Sequence, residues 1–216
     1  MKLTYKEVTV SQEVFEMITR LDRENIETHL VIQCAPMISG MKISNLLIVE
    51  RRLAKEVRRV LNRSGIAYFL LLEKEEKVTF LIYHEDELKA YLAEKKVCQS
   101  MRQFGYENLE LATVLERFKE NYESYTLQNA GFPHEMGLLL GYPVEDVEGF
   151  IQNEGKNYLY AGYWKVYADA EQKMALFAQY EEARKELLGY LTQGYTVRQM
   201  LQVMEQKRSL RQKIGA

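Results

Sequence analysis

The sequence is poor in the residues that most often mark a function. Its 216 residues include two cysteines, three histidines, three prolines and one tryptophan. Cys34 and Cys98 lie far apart and form no CxxC or other metal-binding spacing, so the sequence predicts no metal site and identifies no cofactor. In a reducing cytoplasm both are expected to be free thiols.

Strong charge and long apolar runs are also lacking. The net charge of −2 argues against nucleic acid as a partner. No run approaches the roughly 20 apolar residues of a membrane-spanning helix, and the first ten residues lack the apolar centre of a signal peptide. We therefore expect a cytoplasmic protein with neither a membrane nor a nucleic-acid partner.

An ordinary globular composition, 47% apolar and 28% charged, predicts a well-packed fold. Runs 66–73 and 77–84 are rich in β-branched and aromatic residues and predict an antiparallel hairpin. Helical periodicity predicts helices at 12–24, capped by Ser11, and at 44–62, capped by Ser44. The apolar run 29–34 is either a strand or the last turn of a helix, ended by Ala35 and Pro36.

Further helices are predicted at 85–95, 97–104 and 109–122. Capping pairs Asp169 with Gln172 and Thr196 with Gln199 predict two more, 169–188 and from Thr196 to about Arg211, with a break at 189–194. The element order predicts an α+β fold: a small, mainly antiparallel sheet of about three or four strands covered by helices, with C-terminal helices. Residues 1–190 are expected to form one domain and 191–216 a helical extension.

Residues with special backbone demands are concentrated in 132–167, which holds two of the three prolines, the tryptophan and five of the twelve glycines. Pro133 and Pro143 each suit the first turn of a short helix. Gly141 suits the end of the first helix, and 153–155 the end of the second. Tyr163 to Tyr167 then reads as a strand.

This segment resembles the signature of a bacterial family catalogued as domain of unknown function 3793. The resemblance rests on His134-Glu135-Met136-Gly137, Leu140-Gly141-Tyr142-Pro143, Glu145-Asp146-Val147, Gly149-Phe150-Ile151, Asn153, Gly155-Lys156-Asn157-Tyr158 and Gly162 to Tyr167. Cys34-Ala35-Pro36 with Gly40, Lys42, Asn45 and Leu46 is similar to the family's N-terminal block. The resemblance implies a soluble bacterial protein, found mainly in anaerobic Gram-positive lineages, and brings no activity.

Cys34 and His134 are the candidate catalytic residues. A thiol becomes a nucleophile beside a base, and His134 falls in the first turn of a short helix. The pair could serve a cysteine-dependent hydrolase or transferase. The alternative is that Cys34 is simply a buried apolar residue.

Lysines beside glycine, asparagine and aromatic residues suggest a pocket for a small anionic ligand. The candidate ligand-binding residues are Lys42, Asn45, Lys156, Asn157, Tyr163, Lys165 and Tyr167. Strand alternation would direct Tyr163, Lys165 and Tyr167 to one face, with Trp164 and Val166 in the core. The alternative is that the lysines are solvated and that Gly and Asn only shape turns.

Three functions therefore stay open: a binding or accessory protein for a small anionic ligand, a Cys34-dependent enzyme, and a protein-protein interaction module. In the third, a partner or a second copy would dock on the apolar stripe of the last helix, Val197, Met200, Leu201 and Met204. The first of these functions, binding of a small anionic ligand, requires the segment near residue 40 and the segment beyond residue 130 to pack together around one cavity.

Overall fold

The computed structural model describes residues 12–19, 21–22 and 24–214. The helices in this part of the chain are α1 (Gln12–Thr19), α2 (Ile26–Ile38), α3 (Ala54–Ser64), α4 (Glu85–Leu92), α5 (Lys95–Gln103), α6 (Leu111–Gln128), α7 (Glu135–Leu139), α8 (Val144–Gln152), α9 (Ala170–Thr192) and α10 (Val197–Ile214). The strands are β1 (Ser44–Glu50), β2 (Ala67–Glu73), β3 (Lys77–Tyr83), β4 (Tyr160–Ala161) and β5 (Lys165–Val166). The predicted α+β class is confirmed.

The three-stranded sheet is antiparallel with the order β1-β3-β2. The predicted hairpin is β2 and β3, and its turn is closed by the Lys74 N–H, which donates to Lys77 O at 2.8 Å. The central strand β3 is buried along nearly its whole length. Phe80 and Ile82 on β3 face one hydrophobic cluster, while Leu81 and Tyr83 face another.

Helices cover both faces of this sheet because each face is apolar. The first cluster joins the sheet to α2, α3, α9 and α10. The second joins it to α4, α5, α6, α7 and α8. A third, smaller cluster holds Trp164, Val166, Phe177 and Tyr180, and it confirms Trp164 and Val166 as core residues.

The predicted helix at 44–62 is wrong in its first half. Residues Ser44–Glu50 form strand β1, which pairs with β3 from Ser44 opposite Tyr83 to Glu50 opposite Lys77. Leu46, Val49 and Leu53 fit helical spacing, but Leu47 and Val49 are buried while Ile48 and Glu50 are exposed. The pairing of β1 with β3, which residues distant in sequence provide, distinguishes the strand from a helix.

The predictions for the N-terminal third also need correction. Helix α1 ends at Thr19, not at residue 24. The proposed Ser11 cap lies outside the described residues. The apolar run 29–34 is inside helix α2, and Pro36 does not end that helix but lies within it, after a kink at Cys34.

The C-terminal helices differ from prediction at both ends of α9. Gly189 does not break α9, which continues to Thr192, and Asp169 makes no side-chain cap because its backbone is left-handed, with φ 49°. The Thr196 and Gln199 pair does form, since the Thr196 N–H donates to Gln199 Oε1 at 2.9 Å. Val197, Met200 and Met204 are buried in the first cluster, so α10 packs on the body. The division at residue 190 stays a prediction.

Within the described ranges, no helix combines the length and the apolar character needed to cross a membrane.

Candidate functional site

The segment 132–167 folds into two short helices, as its prolines and glycines predict, and a small hairpin. The strand predicted from Tyr163 to Tyr167 is shorter, β5 (Lys165–Val166), and its pairing with β4 was not predicted. Helices α7 and α8 follow Pro133 and Pro143, and β4 pairs with β5. Gly141 ends α7 with φ 71°, and a side chain there would lie 2.8 Å from Ile43. Glycine at 141 therefore allows both the left-handed turn and the close approach of the segment near residue 40.

These elements enclose a cavity of about 200 Å³. It is lined by Phe132, His134, Met136, Gly137, Tyr142, Asp146, Val147, Phe150, Trp164 and Lys165. Nearly all of these residues present apolar or aromatic surface. A concave, mainly apolar site with a few polar groups is the usual form of a small-molecule site.

Two groups of rings supply most of the lining. Tyr142 stacks on Trp164 with their ring centroids 4.8 Å apart. The second group is Phe132, His134 and Phe150, whose centroids lie 5.3 to 6.1 Å from one another. Flat faces of this kind suit a planar ligand, because aromatic groups pack favourably in offset or edge-to-face geometry.

Asp146 is a buried member of this lining, and its acceptors are satisfied. Its Oδ2 accepts a 2.7 Å hydrogen bond from Trp164 Nε1. Its Oδ1 accepts from the backbone N–H groups of Tyr167 at 2.7 Å and Ala168 at 3.2 Å. Asp146 thus fixes the tryptophan ring and the end of β5, and its role is structural.

Lys165 is the lysine that lines the cavity. Its ammonium donates to Gly155 O at 2.7 Å and lies over the rings of Phe150, at 5.7 Å, and Tyr158, at 5.0 Å. No described carboxylate forms an ion pair with it, so N–H donors and the positive charge stay open to a ligand. Burial lowers the pKa of His134, so its imidazole is neutral at pH 7.

Lys42 and Asn45, both proposed ligand residues, lie together behind the Tyr142 side of the cavity. Lys42 is only 6% exposed. Its ammonium donates to Asn45 Oδ1 at 2.9 Å and lies 5.1 Å from the centre of the Tyr142 ring. Burial lowers the pKa of Lys42 to about 8.

The side chain of Asn45 also makes hydrogen bonds to α2 at the kink of that helix. Its Nδ2 donates to Gln33 O at 2.9 Å and lies 3.6 Å from Cys34 Sγ. Pro36 and the non-helical Cys34 leave this part of α2 without regular backbone bonds, and Asn45 supplies a donor there. Asn45 thus has a structural role that the sequence did not reveal.

Cys34 lies in the core, away from solvent. It is fully buried, and burial raises the pKa of its thiol to about 12. Its polar contacts are with Asn45 and Leu46 O, whereas the ring contacts of His134 are with Phe132 and Phe150. The pairing of Cys34 with His134 stays a prediction, and a neutral, buried thiol gives it no support.

The other proposed ligand residues lie outside the cavity lining. Lys156 is exposed and pairs with Glu154 at 3.3 Å, and Asn157 bonds to Asn153 at 3.4 Å. Tyr163 belongs to the third cluster, where its hydroxyl donates to Glu181 at 2.7 Å. The Tyr167 ring packs against Gly149.

The two segments singled out from the sequence do pack together. Ser44 Oγ donates to Leu139 O, Ile43 touches Gly141, and Lys42 lies on Tyr142. The cavity lining, however, comes from residues 132–165, and the segment near residue 40 supports it from behind. The aromatic lining itself was not predicted. The clustering of Phe132, Tyr142, Phe150 and Trp164 in one segment was the available signal.

The arginines just before and on α3, and the last helix, give little support to a nucleic-acid-binding or a protein-docking function. Arg51, Arg52 and Arg59 each form an ion pair with a glutamate. The apolar stripe proposed for docking has Val197, Met200 and Met204 buried against the protein's own core.

Comparison with known proteins finds a significant match neither to a curated protein nor to a solved structure. A family model does match, over residues 30–201. It includes most of α2, the segment near residue 40 and the whole cavity-forming segment. Since the match covers most of the sequence, the chain belongs to the family described as Protein of unknown function (DUF3793).

Proposed function

We propose that this protein binds a small, flat, anionic molecule in the aromatic cavity and acts as a binding or accessory protein. The observation that carries the proposal is the position of Lys165, a lysine without a described carboxylate partner, in a cavity lined mainly by aromatic and apolar residues. The ring faces would hold the planar body of the ligand, and the Lys165 ammonium its negative group.

The charge of the ligand follows from the three polar side chains in the lining. Asp146 is committed to three hydrogen bonds, and His134 is neutral at pH 7. Lys165 alone among the three offers an uncommitted charge. Aromatic cages also bind organic cations, but an ammonium already seated over Phe150 and Tyr158 would repel a second one.

We place this activity in a bacterium, as the family resemblance implies, and in the cytoplasm, as the sequence itself predicts. The Cys34-dependent enzyme is less well supported because its thiol is buried and protonated at neutral pH.

Native mass spectrometry of the protein as purified from cells tests the proposal. We expect a small anionic molecule to accompany the wild-type protein and to be lost in Lys165→Met, which keeps most of the side-chain volume. Lys156→Met is the matched control, since it removes an exposed lysine that does not line the cavity. Wild-type protein that carries no ligand and binds no flat anion on addition would contradict the proposal.

A further inference from the structure

Lys42 is a buried cation with no described counter-ion. It is 6% exposed, no described aspartate or glutamate forms an ion pair with it, and its hydrogen-bond acceptor is the neutral amide of Asn45. Burying an ammonium without a carboxylate is energetically costly, and such groups are found more often at functional sites than elsewhere. The position of Lys42 therefore calls for a reason beyond packing.

The contact between Lys42 and the Tyr142 ring supplies a reason for burying this lysine. The Lys42 ammonium lies over the Tyr142 ring, which lines the cavity and stacks on Trp164. A cation over a ring withdraws electron density and adds a positive potential nearby, and the low dielectric of the interior weakens this field little. Because Trp164 stacks on the Tyr142 ring and Lys42 lies over it, a ligand in the cavity would contact this ring at its edge and would feel the charge of Lys42 without touching it.

We propose that Lys42 is a specificity-determining residue of the cavity, a remote cation that favours an anionic ligand through the Tyr142 ring. This inference rests on the proposed function and extends it. Lys165 would contact the anion directly. Lys42 would raise the affinity of the cavity for the anion without contacting it, because the Tyr142 ring lies between them. The two lysines, distant in sequence, would then act on the same ligand.

The charge on Lys42 can be switched by pH without disturbing its neighbours. Burial lowers its pKa to about 8, so it loses its proton between pH 7 and 9. The titratable groups around it are Cys34 on α2, Tyr142 before α8, and Tyr180 on α9, which donates to Met41 O. Burial raises the pKa of all three to about 12, so they stay neutral over this range.

Calorimetric titration with 2-naphthoate, a flat carboxylate, and with its neutral amide tests the inference. At pH 7 we expect Lys42→Met to bind 2-naphthoate roughly five- to ten-fold more weakly than wild type, with unchanged affinity for the amide. Raising the pH to 9 should weaken naphthoate binding to wild type by a similar factor and leave Lys42→Met unaffected. Lys42→Arg should keep high affinity at both values of pH.

The outcomes separate the two proposals. If Lys42→Met loses affinity for both probes equally, or for neither, Lys42 has only a structural role and the inference is wrong, while the binding function stands. If the wild-type protein binds neither probe, both the proposed function and the inference about Lys42 are wrong. Lys156→Met controls for the loss of one positive charge from the molecule, and thermal melts control for folding.

Discussion

Trp164 Nε1 donates a 2.7 Å hydrogen bond to Asp146 Oδ2, and this bond joins the residue before strand β5 to helix α8 across the wall of the cavity. The same carboxylate accepts two backbone N–H groups from the residues that follow β5. One buried acidic group therefore sets both the orientation of the only tryptophan and the course of the chain as it leaves the cavity.

Asp146→Asn should destabilise the protein by about 2–4 kcal/mol, because an amide in that place must present its NH₂ to one of the three donors and leave that donor unsatisfied. Urea denaturation measures this loss. Glu154→Gln is the control just beyond the end of the same helix: the side chains of Glu154 and its partner Lys156 are 81% and 74% exposed, so its replacement should cost about 1 kcal/mol or less. Equal losses in the two variants would show that Asp146 does not have the structural role assigned to it.

The buried Lys42 predicts an unusual pH dependence of stability. Its pKa is about 8 in the folded protein and near 10.5 when the chain is unfolded. Between these values the unfolded state binds the proton and the folded state does not, so the free energy of unfolding rises with pH. Relative to Lys42→Met, wild type should gain up to about 3 kcal/mol between pH 7 and pH 10.5. Parallel stability curves for the two proteins would contradict a buried, weakly basic Lys42.

Replacing two helical glycines, Gly149 and Gly189, with alanine should change the stability of the protein in opposite directions. A Cβ at Gly149 on α8 would lie 2.5 Å from Tyr167 Cβ, so Gly149→Ala must push the chain just after β5 away from α8. We expect a loss of about 2 kcal/mol or more, as in overpacked cores. Gly189 on α9 has no atom within 4 Å of the added methyl group, so Gly189→Ala should stabilise by about 0.5–1 kcal/mol through helix propensity. Thermal unfolding distinguishes the two, and a neutral Gly149→Ala would contradict the close packing described.

The two cysteines should differ sharply in reactivity. Cys34 is fully buried with a raised thiol pKa, while Cys98 is partly exposed on α5. A thiol reagent such as 5,5′-dithiobis(2-nitrobenzoate) should label one cysteine per native chain and two after denaturation. Cys98→Ser should abolish the native reaction. Rapid labelling of Cys34 in the native Cys98→Ser variant would instead revive the proposal that Cys34 is a nucleophile.

Local physical chemistry explains which parts of this fold could be predicted. The β2 and β3 hairpin, the helices opened by Pro133 and Pro143, and the Thr196 cap all follow from residues close together in the chain. Strand β1 could not be predicted in this way, because the spacing of its apolar residues also fits a helix. Only its pairing with β3 distinguishes the strand from a helix. The segments that build the site were identified from Pro, Gly and aromatic density. The structural roles of Asn45 and Asp146 could not be identified from the sequence. The groups that they hydrogen-bond are distant in the sequence, or the sequence does not show that they are buried together.

Trp164 lines the cavity and is the chain's only tryptophan, so 5-fluorotryptophan labelling places one ¹⁹F signal in the proposed site. Titration of the labelled protein with 2-naphthoate, and separately with the cation 2-naphthylmethylammonium, tests the central claim most directly. We expect a saturable shift of that signal with the anion, a much weaker response to the cation, and loss of the preference in Lys165→Met. An unmoved signal with both compounds, or an equal response to both, would contradict an anion-selective cavity.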